Sequence, residues 1–129
     1  MGIELYLRGE HVSYWVYLMD GGEDGEPFEV ARHSEGGTYV MGGTNEACMN
    51  VTYNYNKQYV KVFDGASLKE AIDGKRAGDL LPWLKKAVDV LGIERSADYW
   101  EASPGNAGHT LSVLVAWGEE HPDGTYIVH

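Results

Sequence analysis

The sequence predicts an α+β fold in which two or three helices pack on one face of a small antiparallel sheet. This prediction rests on the order of the segments. About four strand-like segments come first, helix-like segments fill the middle, and one strand-like segment comes last. Since no helix-length crossover separates the first strands, we expect them to pair antiparallel. A length of 129 residues is typical of one domain, so we assign residues 1–129 to a single domain.

Five segments have strand character. Residues 3–8 alternate apolar and polar side chains, which is the two-residue period of a half-buried strand. Residues 12–19 are rich in aromatic and β-branched side chains, residues 27–33 alternate again, and glycine pairs bracket residues 38–41. Residues 125–128 follow an Asp-Gly turn and form the C-terminal strand of the predicted sheet.

The middle of the chain predicts helices. We interpret residues 44–47 as a helix start or a structured turn. The aromatic and β-branched residues of 53–63 then line a helix that is interrupted at Asp64. Ser67 and Glu70 have the spacing of a capping box, so we expect a short helix to begin there.

The next predicted helix is the most regular one in the sequence. Asp79 is its expected N-cap, and Pro82 falls in the first turn, where a missing N–H does no harm. Apolar residues then recur at helical spacing as far as Gly92, which suits the left-handed conformation at a helix end.

The last predicted helix begins at a Ser-Pro-Gly-Asn turn. Either Ser103 caps it with Pro104 as the first helical residue, or Asn106 caps it one turn later. The helix must end by His121, because the residue before Pro122 is disfavoured in helical conformation.

Charge is unevenly distributed along this acidic chain. The formal net charge is −10, yet residues 57–95 carry eight bases against six acids. Residues 20–35 carry six acids against one base and contain Gly and Pro, so we interpret this segment as an acidic loop or hairpin tip. This charge argues against direct binding to a nucleic-acid backbone. The chain has nine Tyr and four Trp but only two Phe. Tyr and Trp carry a polar group at the tip, so this excess is typical of partly hydrated surfaces and interfaces.

The sequence favours a soluble, cytoplasmic protein without a cofactor. The N-terminus lacks a secretory signal, and no apolar run is long enough to cross a membrane. Cys48 is the only cysteine, which suits a reducing compartment. The histidines show no metal-ligand spacing, so we expect no metal site.

The first candidate binding segment is Asn-rich. Asn50, Thr52, Tyr53 and Asn54 lie in a run of seven residues that holds three Asn and two Tyr. If residues 52–60 are helical, Asn50 and Asn54, with Lys57 as a further candidate, fall close to one face. The Asn amides then offer donors and acceptors to a ligand with mixed edges, such as a base or an amide. The alternative is that these Asn cap a helix and satisfy loop backbone.

The second candidate binding segment surrounds the Pro-Gly-Asn turn. Trp100, Asn106 and His109 lie close to a helix start whose free N–H groups favour an anion. The segment lacks the Lys and Ser/Thr of a P-loop. Close packing of backbone against backbone explains its small residues equally well.

Three motifs together resemble a group of small proteins of phages and bacterial genomes. They are an Asn-x-Thr-Tyr-Asn segment at Asn50–Asn54, a Tyr-Trp pair at Tyr99-Trp100 before the Pro-Gly-Asn turn, and a final His-Pro at His121-Pro122. The resemblance covers about residues 36–129 and carries no assigned activity. It implies a phage context, in which a small acidic protein acts on a host component.

Two classes of function remain open. The first is a non-catalytic binding or interaction module, such as a phage-type accessory or inhibitor protein with a protein partner. The second is a protein that binds or hydrolyses a nucleotide-like small molecule at a site built from residues 50–56 and 104–109. No motif specifies a catalytic mechanism, so the sequence favours the first class without deciding whether any reaction occurs. Self-assembly into a homo-oligomer also stays open.

Overall fold

The computed structural model describes residues 13–19, 32–34, 38–40, 46–98 and 101–129, which we call the described part of the chain. Its strands are β1 (Ser13–Met19), β2 (Arg32–Ser34), β3 (Thr38–Val40), β4 (Glu46–Thr52) and β5 (Thr125–Val128). Its helices are α1 (Asn56–Val62), which follows a 3-10 turn (Tyr53–Tyr55), α2 (Leu68–Ile72), α3 (Ala77–Leu91) and α4 (Pro104–Glu120). The predicted mixture of helices with a small antiparallel sheet is confirmed.

The sheet brings the C-terminal strand beside the first described one. Its order is β4-β1-β5, and both pairings are antiparallel, with Val16 opposite Met49 on one side and Val128 on the other. Strands β2 and β3 form a separate antiparallel pair. The predicted strands at 12–19, 38–41 and 125–128 therefore appear with nearly the expected bounds.

Some predictions fall outside the described part of the chain. They are the strand at residues 3–8, most of the strand at 27–33, of which only Arg32 and His33 are described, and most of the acidic segment 20–35.

Of residues 44–47, where the sequence predicts a helix start or a structured turn, only Glu46 and Ala47 are described, and they lie in a strand rather than a helix. Residues Glu46–Thr52 form β4, which pairs with β1 along its whole length. Met49 and Val51 are fully buried and are separated by one residue, which matches the two-residue period of a half-buried strand. Seven paired residues on the neighbouring strand outweigh the local preference of Glu and Ala for helix.

The described part of the chain holds four helices, whereas two or three are predicted for the fold. The shortest is the five-residue α2, which ends at Ile72 and is the short helix expected at Ser67. The capping box at its start is present as predicted: the Ser67 hydroxyl accepts from the Glu70 N–H, and the Glu70 carboxylate accepts from the Ser67 N–H.

Helix α3 begins two residues before the predicted cap. The backbone N–H groups of Ala77 and Gly78 donate to the carbonyls of Gly124 and Pro122, at 2.7 and 2.8 Å. The turn at residues 122–124 therefore supplies acceptors for two free N–H groups at the start of α3, a contact between segments far apart in the sequence. As a consequence Pro82 lies inside the helix rather than in its first turn.

Other helix boundaries are as predicted. The Ser103 hydroxyl accepts from the Asn106 N–H, with Pro104 as the first residue of α4, so the first of the two capping alternatives is the one observed. Helix α4 ends at Glu120, before His121. Gly92 ends α3 at φ 79°.

One face of the three-stranded sheet is buried against helices. Tyr17 and Ile127 are half-buried, whereas the residues on either side of each of them along the strand are buried. The buried positions are Val16, Leu18, Met49, Val51, Tyr126 and Val128. The Tyr126 hydroxyl donates to the Leu114 carbonyl of α4, which places this helix on the buried face. No helix in the described part of the chain is long and apolar enough to span a bilayer.

The outer edge of β5 is covered by the segment between α2 and α3. Gly74 donates its N–H to the Tyr126 carbonyl, and the Tyr126 N–H donates to the Lys75 carbonyl. The Asp73 carboxylate accepts from the Val128 N–H at 2.8 Å. These bonds give the edge strand partners that solvent or another chain would otherwise supply.

Helices α3 and α4 are joined by a backbone-to-backbone contact. A Cβ atom on Gly108 would lie 1.8 Å from the Gly92 carbonyl oxygen, and one on Gly105 would lie 1.8 Å from that of Glu94. Real Cβ atoms do not approach that closely, so only glycine permits this spacing.

We predict that Gly108→Ala destabilises the fold. In an open helix position this change stabilises by roughly 1 kcal/mol. Here we expect a loss of about 3 kcal/mol in the free energy of unfolding, because the methyl group meets fixed backbone. Gly78→Ala is the graded control, since its Cβ would meet the Arg76 guanidinium at 2.9 Å and the Pro122 oxygen at 3.0 Å. Equal, small effects in urea titrations would show that α4 can move away.

We also predict a pH-dependent contribution from Tyr126. Burial raises the pKa of this phenol above its ordinary value. Its stabilising contribution is therefore complete below about pH 10 and is lost progressively as the pH rises toward the raised pKa of the folded state. At neutral pH, Tyr126→Phe should cost about 1 kcal/mol through loss of the bond to Leu114. Above pH 10 the gap to the wild type should shrink, and a constant gap would contradict the assignment.

Candidate functional site

A surface cavity of about 390 Å³ lies where the 3-10 turn, the start of α2 and the end of β5 meet, and we call it the Tyr53 cavity. Its lining residues are Tyr53, Asn56, Ser67, Lys69 and His129. Every one of these side chains carries a polar group, and Lys69 adds a positive charge. The volume falls within the range of small-molecule sites, roughly 300–1,000 Å³.

Asn56 fixes the wall between α1 and α2. Its side-chain oxygen accepts from the Leu68 N–H at 3.0 Å. This bond satisfies a free N–H of the first turn of α2 and holds that turn beside the start of α1. It uses the amide oxygen, so the Asn56 NH₂ group remains for another acceptor.

The start of α2 places Lys69 at the cavity, whereas the Glu70 carboxylate bonds to Ser67 at the N-cap of the same helix. Hydrogen bonds from the backbone and the hydroxyl of Ser67 lower the pKa of the Glu70 carboxyl from its ordinary value. Lys69, between these two residues, is exposed. The ion pairs found within the described part of the chain use Arg76 and Lys85, not Lys69.

The other two cavity residues, Tyr53 and His129, lie far apart in the sequence. Tyr53 is 46% exposed. The His129 ring packs edge-on against Tyr17 of β1, with 5.7 Å between ring centroids. Since β5 pairs with β1, the sheet register sets the position of His129.

Among the described members of the predicted ligand set, Tyr53 alone lines this cavity. Thr52 and Asn54 flank it in sequence but are buried, and the Thr52 hydroxyl accepts from the Asn54 N–H at 3.4 Å. Thr52 is the N-cap of the 3-10 turn. These contacts agree with the alternative in which the polar residues of this segment satisfy local backbone.

The predicted helix face shared by Asn50 and Asn54 does not exist. Asn50 lies in β4, with its Cα opposite that of Trp15, whereas Asn54 lies in the 3-10 turn. The side chain of Asn50 lies outside the described part of the structure, and so does the whole of Trp100. Their assignment to a ligand site stays a prediction.

Asn106 holds the loop between α3 and α4. It is 3% exposed, and its side-chain oxygen accepts from the Ser96 N–H at 2.9 Å. Its NH₂ group donates to the carbonyls of Asp98 and Glu101, at 3.0 and 2.8 Å. The amide that the sequence nominated for ligand binding thus joins three backbone groups of the loop.

His109 lies one turn into α4 and is half-buried. Burial, followed by the positive charge of Arg95, lowers the pKa of its imidazole from the ordinary value. It does not line the Tyr53 cavity, and neither does any other residue of 104–109.

The two predicted binding segments are nevertheless connected through α1. The Gln58 amide donates to the Ala102 carbonyl at 2.9 Å, and the Tyr59 hydroxyl donates to the Ala107 carbonyl at 3.1 Å. The first contact joins α1 to the loop before α4, and the second joins α1 to α4 itself. The predicted arrangement, in which residues 50–56 and 104–109 face each other across one pocket, is not the arrangement at the Tyr53 cavity.

Ser67, Lys69 and His129 were not nominated from the sequence, although Asn56 ends the Asn-rich run. The capping box located the start of α2, but no sequence signal places that start beside residue 53. His129 reaches the site only because β5 returns to pair with β1.

A second surface cavity, of about 260 Å³, lies between α3 and α4. Its lysine, Lys85, pairs with Glu119 at 3.1 Å, and Asp89 adds a negative charge. Its lining also includes Val88 and Val115, so it is less polar than the lining of the Tyr53 cavity. Within the described part of the chain, no group of three or more His, Cys, Asp or Glu is arranged to hold a metal ion.

We predict that Asn106→Asp destabilises the protein in a pH-dependent way. At neutral pH the carboxylate would face two carbonyls without a proton to donate, at a cost on the order of 3 kcal/mol. The cost should fall as the pH drops and the carboxyl becomes protonated. Asn56→Asp is the matched control, since its bond to Leu68 needs only an acceptor. Equal losses from both variants in urea titrations would contradict a loop-holding role for Asn106.

Of the two described cavities, the Tyr53 cavity has the larger number of polar lining side chains. Comparison of the chain with protein-family models, curated proteins and solved structures found no match.

Proposed function

We propose that this protein is a non-catalytic binding module that acts by contact through the face containing the Tyr53 cavity. In the phage context suggested by its motifs, it is an accessory or inhibitor protein whose partner is a cytoplasmic host protein. The net charge of −10 favours a protein partner over a nucleic-acid backbone.

One observation carries this proposal. The polar groups of Thr52, Asn54 and Asn106 bond within the fold, whereas Tyr53 and Lys69 are exposed beside a preformed cavity. An exposed Tyr is a frequent anchor in protein interfaces, since its large ring loses little conformational entropy on binding. A neighbouring Lys adds charge selectivity.

A second candidate function is binding of a nucleotide-like small molecule. The cavity supports it by its volume and by its Lys, Tyr and Asn side chains. The site first predicted for such a ligand also included residues 104–109, which do not line this cavity. No described residue specifically supports hydrolysis of such a ligand.

The proposal is tested by affinity capture from bacterial lysate at low salt, with quantitative comparison of three baits. The wild type and Val90→Ser should retain the same proteins, because Val90 is 67% exposed on α3 and does not line the cavity. Tyr53→Ser should lose at least one of them by about tenfold, which corresponds to about 1.4 kcal/mol.

Two outcomes would contradict the proposal. One is recovery of the same proteins in the same amounts by the Tyr53→Ser bait. The other is the absence of any specific protein from the wild-type bait at low salt. Circular dichroism of the variants provides the folding control, since both changed residues are exposed.

A further inference from the structure

We infer that the Tyr53 cavity recognises a phosphate monoester of a sugar that carries a flat base, the chemistry of a nucleoside monophosphate. This inference rests on the second candidate function above, because it takes the same cavity as the binding site and names the class of small molecule. Three properties of the cavity carry it: its local charge, its hydrogen-bond donors and its aromatic wall.

The local charge of the cavity is opposite to that of the whole chain. The chain has twice as many acids as bases, yet no carboxylate side chain appears among the described lining residues, whereas Lys69 does. The two nearest acids in sequence use carboxylate oxygens elsewhere: Glu70 accepts from Ser67, and Asp73 accepts from Val128. An anion is therefore the ligand charge that this cavity favours.

A hydrogen-bond donor lies beside the lysine. The Asn56 oxygen is bound to Leu68, which leaves its NH₂ group as a donor. The Ser67 hydroxyl lines the cavity but is bonded to Glu70, so Asn56 and Lys69 are the donors that the cavity offers to a ligand. A phosphate has three terminal oxygens that accept such bonds, and bonds from charged donors are the stronger ones.

The aromatic wall favours a flat group. Tyr53 is 46% exposed while its neighbours Thr52 and Asn54 are buried, so its ring is presented to solvent beside the cavity. Stacking on an exposed ring accepts any base, because every base has a π-face. The cavity lies near the lower end of the volume range for small-molecule sites, which suits one nucleotide.

A single nucleotide also fits the charge of the molecule better than a polynucleotide does. Lys69 is the only Lys or Arg among the described lining residues, so the cavity neutralises one phosphate. An extended backbone would need several cations in a row, and the chain as a whole repels it with its net charge of −10.

The test is isothermal titration of the full chain with five probes: AMP, UMP, adenosine, ribose 5-phosphate and inorganic phosphate. AMP and UMP should bind with similar affinity, and each single-feature probe should bind at least about tenfold more weakly, a difference of about 1.4 kcal/mol. Inorganic phosphate separates capture of any phosphate from recognition of the nucleotide.

Variants assign the two parts of the ligand to residues. Lys69→Gln should weaken AMP by about tenfold and leave adenosine unchanged, because it removes one charge at the phosphate. Tyr53→Ala should weaken AMP and adenosine and leave ribose 5-phosphate unchanged. Lys86→Gln on α3 is the charge-matched control and should bind AMP like the wild type, since Lys86 does not line the cavity.

The inference is overturned if AMP and UMP do not bind, if adenosine or inorganic phosphate binds as tightly as AMP, or if Lys69→Gln and Lys86→Gln have equal effects. These failures leave the proposed function intact when Tyr53→Ser still loses a captured protein. Conversely, AMP binding that depends on Lys69, together with unchanged capture, would contradict the protein-partner proposal alone.

Discussion

The approach of α4 to the backbone at the end of α3 is the contact on which the rest of the described structure depends. Gly105 and Gly108 have no Cβ, so α4 lies against the carbonyls of Glu94 and Gly92 without a side chain between them. Asn106 lies between the two glycines, and its side-chain oxygen accepts from Ser96 in the loop between α3 and α4. This bond ties the loop to the start of α4. Backbone spacing and side-chain bonding thus fix one helix start twice.

The same helix transmits this placement to the sheet and to the cavity. At its far end a Cβ on Gly118 would lie 2.8 Å from the Tyr126 hydroxyl, so α4 also approaches β5 closely. At its near end the Ala107 carbonyl accepts from Tyr59 of α1. Helix α1 in turn begins at Asn56, which holds the first turn of α2. The Tyr53 cavity is therefore built on contacts that lead back to the start of α4.

Local signals in the sequence predicted local structure well. Ser67 and Ser103 cap helices as expected, because a cap depends on residues within one turn. Strand β4 and the start of α3 were mispredicted, because pairing with β1 and the carbonyl of Gly124 decide them from a distance. The same distinction applies to the site: Tyr53 was nominated from its own neighbourhood, whereas His129 arrives through the sheet.

The Pro-Gly-Asn turn bonds within the fold, and we propose that the Tyr53 cavity binds the ligand. The most direct measurement is backbone amide chemical-shift mapping by NMR during titration with AMP. We expect the largest shifts at Asn56, Lys69 and His129, with residues 104–109 almost unchanged. The largest shifts at Asn106 and His109, with the cavity residues unchanged, would contradict this assignment.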